Sequence, residues 1–306
     1  MTTQRISGAG LAYAFAAYGL WGMFPLYFLS IRDTNPFEIV SYRIIFSLIF
    51  CALVISAIRK WGRFAHIFRS TRAVLTLGLA SLLIYINWQV FVIAVVNDEV
   101  VESSLGYFIN PIITVILGVV VLRERLRRMQ WVAVGVSAIA VVVLSISYGG
   151  LPWISITLAL SFGLYSLIKK RVGANVDAVS GLMIESMWMT PLAIVQWLVV
   201  SSLVGATAFA HGVPYALWIM SAGPITAIPL MLFAAATRRI PLTAIGLIQY
   251  STPIFSFCLG VFVLNEPMPA GRWAGFVIVW VALVILSIDM LRNARRSRSA
   301  RAAELV

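Results

Sequence analysis

Charge is what this sequence lacks most. Only 11% of its 306 residues are Asp, Glu, Lys or Arg, against about 25% in an ordinary soluble domain. A soluble chain of this length needs polar surface over its core, so a soluble domain is ruled out, and the disordered and fibrous classes with it. Cysteine is scarce too. Cys51 and Cys258 both stand in apolar runs, which argues against a disulfide framework and reads them as small core residues. The two histidines, His66 and His211, read as loop residues, so histidine-based metal chemistry is not expected. No Walker A loop, no Gly-x-Gly-x-x-Gly run and no His-Glu-x-x-His run occurs. ATP-driven transport by this chain alone is therefore disfavoured, and no cofactor is expected.

What the sequence has in abundance is apolar length. Hydrophobic residues make up 61% of it and the mean hydropathy is +0.97. Ten helices of about 20 residues would use roughly two-thirds of such a chain and leave only short loops. The apolar stretches place spans near 8–30, 36–58, 73–96, 100–122, 129–147, 151–168, 179–201, 214–236, 241–264 and 271–291. The first is too long for the core of a signal peptide and reads as a retained helix. Of the 23 basic residues, one set of alternate loops and the tail hold nearly all. The opposite side holds only Arg32 and Arg272, and Arg43 lies within a span. That asymmetry predicts both termini in the cytoplasm. It also gives the net charge of +12 an explanation that needs no nucleic acid: the basic tail, 292–306, suits an anionic leaflet.

An internal repeat follows. Residues 111–146 match 253–288 at an offset of 142 positions, pairing Pro111 with Pro253, Gly118 with Gly260, Glu124 with Glu266 and Trp131 with Trp273. The repeat couples spans 4–5 to spans 9–10, so each unit holds five spans. An odd number makes the two units cross the membrane in opposite senses, the inverted topology of many secondary transporters.

Three groups of residues carry a family resemblance. The first is Asn87-Trp88, the run Glu102-Ser103-Ser104-Leu105-Gly106-Tyr107-Phe108-Ile109-Asn110-Pro111, Glu124-Arg125-Leu126 and Gln130-Trp131. The second is Ser161-Phe162-Gly163-Leu164-Tyr165, Pro229-Leu230 and Gly246-Leu247-Ile248-Gln249-Tyr250. Near the start, Trp21-Gly22 and Pro25-Leu26-Tyr27-Phe28 form the third. Together they resemble the RarD branch of EamA-type permeases, of the drug/metabolite transporter superfamily, over essentially the whole chain. The resemblance implies an all-α polytopic membrane protein of ten transmembrane helices. Two inverted EamA-type units, 1–148 and 149–291, would surround a cavity lined by spans 1, 3, 4, 6, 8 and 9. It also implies transport, usually export, of a small organic molecule across a bacterial plasma membrane.

Among the residues themselves, Arg43 and Glu185 are the charges clearly inside spans. An ionised group there costs from about 2.5 to above 10 kcal/mol, so such residues normally face the bundle interior or water. The repeat offset maps one onto the other, yet topology sets them in opposite leaflets. Each is then expected to serve its own half in gating or coupling, and Glu185 is the candidate proton carrier. Tyr107, Asn110 and Pro111 in span 4, and Gln249, Tyr250 and Pro253 in span 9, set polar groups beside a proline that frees a backbone carbonyl. That combination suits a substrate site at mid-membrane. Asn87 and Trp88 in span 3, with Trp21 and Tyr165 in spans 1 and 6, complete the candidate cavity lining. Asn87 and Gln89, about 200° apart on a helix, should face different neighbours. Glu124 and Glu266 read as helix-end partners. Gly271-Arg272-Trp273-Ala274-Gly275 permits close helix packing or dimerisation, so a monomer or a homodimer is expected.

These readings predict a secondary carrier, not an enzyme, for a small amphipathic solute such as an amino acid, metabolite or drug. Its other partners would be the lipid bilayer and protons. An uncoupled facilitator is the alternative. An intramembrane lipid enzyme is the less favoured one, because the scarce ionisable residues are poorly placed for acid–base work.

Overall fold

The computed structural model describes residues 7–122, 128–172, 176–208, 210–237, 239–240 and 248–303. The described residues contain helices and connecting turns, with no strand among them. In chain order the helices are α1 (Gly8–Gly22), α2 (Phe24–Leu29), α3 (Pro36–Ala57), α4 (Trp61–Phe68), α5 (Thr71–Val96) and α6 (Val100–Leu122). They continue with α7 (Arg128–Tyr148), α8 (Trp153–Val172), α9 (Ala178–Val204), α10 (Val213–Met220), α11 (Ala222–Thr237), α12 (Ser251–Cys258) and α13 (Ala270–Ala303).

Local chemistry sets the starts. Asn35 accepts a hydrogen bond from the Phe37 N–H at 3.0 Å, and Pro36 opens α3. Pro suits that position because its missing N–H has no helical partner to lose. Asp177 caps α9 by accepting from the Ser180 N–H at 3.1 Å, and Ser70 does the same for α5 through Ala73.

Seven helical segments among the described residues are long and apolar enough to cross a membrane. Trp153–Lys169 and Ser251–Val263 are shorter apolar helices. The first of these ends at Lys169, the first residue of the basic run Lys169-Lys170-Arg171. For the second, residues 241–247 of the expected span lie outside the described residues, as do Glu124 and its arginine-rich loop. The first and eighth expected spans are present as Gly8–Leu29 and Val213–Phe233, each with a one-residue break, at Met23 between α1 and α2 and at Ser221 between α10 and α11. Two other expectations differ from the structure. His66, read as a loop residue, lies in the short helix α4, which buries Phe64 and Ile67 and exposes Trp61. The segment 292–303, read as a tail, continues α13.

The helices pair closely. α7 lies along α13, α3 along α9, α8 along both α5 and α6, and α11 along both α1 and α3. Two glycines allow the closest approaches. A Cβ on Gly223 would stand 2.3 Å from the Phe46 carbonyl oxygen, and one on Gly275 2.3 Å from Leu144 Cγ. The Gly271-x-x-x-Gly275 face is thus occupied within the chain, by Ser147 and Leu144 of α7.

Candidate functional site

Arg43 sits at the meeting point of α3 with α2, α5 and α11. It is 4% exposed. Its Nε donates to Thr226 Oγ1 at 2.9 Å. The guanidinium carbon lies 4.0 Å from the centre of the Trp88 ring, 5.4 Å from that of Phe28 and 5.5 Å from that of Phe24. A desolvated cation over an aromatic face gains about 2 kcal/mol, and a hydrogen bond to a charged group about 1.5–3. These offset part of the several kcal/mol lost when an ion leaves water. They supply no negative charge. Among the described residues no carboxylate forms an ion pair with Arg43, and its Nη1 has no hydrogen-bond partner. The tyrosines Tyr27 and Tyr107 are its polar neighbours.

Beside this group Asn87, 2% exposed, ties three helices. Its amide Nδ2 donates to the Leu158 carbonyl and to Ser161 Oγ, both at 3.1 Å. Its Oδ1 accepts from the Tyr107 hydroxyl at 3.2 Å. Tyr107 meets Phe91 and Phe162 edge-on, and Phe162 in turn lies 5.9 Å from Tyr165. The Tyr165 hydroxyl donates to Glu185 Oε2 at 3.2 Å, while Lys169 Nζ lies 2.6 Å from Glu185 Oε1. Trp88, Arg43, Asn87, Tyr107, Tyr165 and Glu185 therefore belong to one continuous polar and aromatic path. It runs from α2 and α3 through α5 and α6 to α8 and α9.

Other expected residues lie elsewhere. Trp21, half-buried, packs with Tyr18 at 5.2 Å and Phe233 at 5.9 Å. Tyr250 hydrogen-bonds Ser287 and packs in the cluster between α7 and α13. The Gln249 carbonyl accepts from the Thr252 N–H. Asn110 is partly buried in α6, close to Gly163. Pro111 lies inside α6, where it leaves the Tyr107 carbonyl without its helical donor. Pro253 differs: it stands in the first turn of α12, where its missing N–H costs no helical bond. Gln89 turns away from Asn87 and accepts from Gln196 Nε2 at 3.3 Å.

Several functional neighbours carried no clear signal in the sequence. Lys169 reads as the start of a basic loop, although its spacing of four from Tyr165 places both on one face of α8. Gln196 gathers Ser41, Gln89 and Tyr85 between α3, α5 and α9. Glu38 holds Thr207 and Ala208 through their N–H groups. Glu266 accepts from the Val100 and Val101 N–H groups at 2.8 and 2.9 Å. It is the helix-end partner expected from its position. Burial pushes the Glu266 carboxyl up to about 7, against the lowering effect of those two N–H groups. A cleft of about 380 Å³ opens between α1–α2 and α10–α11, with Phe24, Tyr27, Trp218 and Ile225 in its wall.

Known proteins bear on this arrangement. Residues 8–146 match the EamA-like transporter family. Protein RarD of Streptomyces exfoliatus is 45% identical over 98% of this chain and 94% of its own length. Protein RarD of Escherichia coli (strain K12) is 35% identical over 94% and 97%. The chloramphenicol-sensitive protein RarD of Pseudomonas aeruginosa is 27% identical over 96% and 98%. One solved crystal structure, 17% identical, shares the fold at a TM-score of 0.57, over 94% of this chain and 99% of that one. Long apolar helices, the interior polar path and near-full-length relatives agree: this is a multi-pass membrane protein, and it belongs to the EamA-like transporter family as a RarD-type permease.

Proposed function

We propose that this chain is a secondary transporter that exports a small amphipathic organic solute by alternating access. It works in a bacterial plasma membrane, with ten spans in two inverted units and both termini in the cytoplasm. The observation that carries the reading is the buried path from Arg43 through Asn87 and Tyr107 to Tyr165 and Glu185. Polar side chains are costly at membrane depth unless they serve one another or a solute. The inverted organisation draws support from the helix pairing. Exchanging the two units carries α5 on α8 into α11 on α1, and α3 on α11 into α9 on α5, and each of these contacts exists. Two interchangeable halves are the physical basis for opening one site to either side in turn.

The coupling role falls to Glu185. Lys169 occupies its carboxylate, so proton exchange there requires the pair to open during the cycle. The same pair favours the second reading, an uncoupled facilitator in which Lys169 and Glu185 are a fixed strut.

Flux in proteoliposomes separates the two. A panel of amino acids and aromatic antibiotics is offered with and without a pH gradient, to wild type and to Glu185→Gln. The carrier reading expects saturable, gradient-driven flux that the substitution abolishes. Gradient-independent flux that survives in Glu185→Gln makes the protein a facilitator. Conversion of substrate without flux would sink both.

A further inference from the structure

Arg43 is a positive charge held in the bundle interior with no acid paired to it among the described residues. Its nearest groups are one hydroxyl, three aromatic rings and two tyrosines. Aromatic faces and tyrosine dipoles orient a guanidinium but do not neutralise it. Glu185, the other interior charge that the sequence singles out, is taken by Lys169. The arginine also keeps one donor nitrogen, Nη1, buried and unpartnered. A buried donor without an acceptor is costly, and a guanidinium with a free edge matches a carboxylate better than any neutral group.

The surroundings say what the rest of the ligand resembles. Phe24 lines the apolar cleft between α1–α2 and α10–α11, and its ring centre is 5.5 Å from the guanidinium. Tyr27, another wall residue, neighbours Arg43 electrostatically. Ile225 faces the cleft while the next residue, Thr226, holds Arg43. Arg43 does not itself line the cleft: Phe24, Tyr27 and the Ile225–Thr226 step stand between the two, so a ligand that reaches both must displace the Phe24 ring. A cleft of about 380 Å³ is of the size that takes small organic ligands.

We propose that Arg43 is the binding site for the carboxylate of a soluble organic anion, whose apolar body occupies the cleft behind Phe24. The assignment rests on the transport reading for the anion's fate, and it names the substrate class: organic monoanions carrying an apolar or aromatic body. Thr226 is a positioning residue, since it fixes Nε and leaves Nη1 for the ligand. Trp88 keeps the guanidinium plane in place by stacking.

Binding to the purified full-length protein in phosphatidylcholine nanodiscs tests this apart from transport. The probes are two matched pairs, phenylacetate with phenylacetamide and N-acetyl-L-phenylalanine with its amide, followed by calorimetry. Wild type should bind the acid of at least one pair about tenfold or more tightly than the amide. Arg43→Gln should bring that ratio close to one, whereas a merely structural arginine would weaken acid and amide alike. If Arg43→Gln does not fold, Arg43→Lys serves, and its ratio should fall while staying above one. Absence of discrimination by wild type in both pairs overturns the proposal, as does a ratio that persists in the folded variant. Phosphatidylglycerol retained by wild type but not by the variant in native mass spectrometry makes the anion a lipid headgroup, and that too overturns it. Acid preference without flux leaves the anion site standing and removes the transport reading. Saturable flux of neutral solutes without acid preference does the reverse.

Discussion

The pair formed by Lys169 and Glu185 shows how little freedom a charge has in this bundle. Glu185 is 1% exposed, and its two oxygens are taken by Lys169 and Tyr165. Removing one partner of a buried pair costs about 3–5 kcal/mol, chiefly because the other is left uncompensated. The Lys169 side chain is 31% exposed, so the lower end of that range applies. Lys169→Met should therefore lower the melting temperature more than the double substitution Lys169→Met with Glu185→Gln, which removes the orphaned charge as well. A double variant that melts below the single one would show that the pair is not what holds α8 to α9. Glu266 makes a second residue-scale prediction. Burial raises its folded-state carboxyl to about 7, above the unfolded value. The folded protein thus favours the protonated form. The stability this contributes is complete below the unfolded value and is lost as pH rises through about 7. Melting temperature should fall between pH 6 and 8 in wild type, and the slope should flatten in Glu266→Gln. An unchanged slope in the variant would assign the dependence to another group.

Among the elements, contact between α3 and α11 sets the position of the arginine. Arg43 reaches Thr226 because Gly223, one turn earlier on α11, lets the two backbones meet at Phe46. A methyl group there would sit 2.3 Å from a backbone carbonyl oxygen, which cannot swing aside as a side chain can. Gly223→Ala should cost about 1–3 kcal/mol through overpacking and weaken flux with it. Gly135→Ala on α7 meets nothing within 4 Å and should leave stability unchanged or raise it by about 0.5–1 kcal/mol, as alanine suits a helix interior better. Equal melting temperatures for the two variants would contradict the packing account. The sequence cannot tell these glycines apart, for both stand in apolar runs. It does make most of the helices legible, because apolar length, prolines and capping residues are local signals. Arg43 and Glu185 are legible too, since charge in an apolar run is rare. Their partners are not. Thr226, Phe24 and Phe28 are ordinary members of apolar helices, and only packing selects them. Lys169 is concealed by the basic residues that follow it. Pro253 and Tyr250 show the converse: Pro253 matches Pro111 in the repeat yet opens α12 where Pro111 lies inside α6, and Tyr250, matched to Phe108, joins it in the packed cluster and bonds Ser287.

For the whole molecule, charge and repeat make a joint claim about orientation. Basic residues crowd the alternate loops that include 59–72 and the tail, whereas Arg32 and Arg272 stand apart from them. Lysine and arginine in short loops resist translocation, so the crowded side is expected to be the cytoplasmic one. The offset of 142 positions between Pro111 and Pro253 requires each unit to hold the same number of spans. If that number is five, the junction near Gly149 lies outside the cell and Val306 lies inside; an even number would put both on one side. Alkaline phosphatase, which folds only outside, should be active when fused after Gly149 and inactive after Val306. A fluorescent protein that matures only inside should show the reverse. Matching signals at the two points would remove the inverted repeat, and with it the argument that one set of contacts can be exchanged for its mirror during transport. Opposite signals leave a molecule whose two halves face opposite ways around one uncompensated arginine, so that the same cation can be presented to either side as the halves trade conformations.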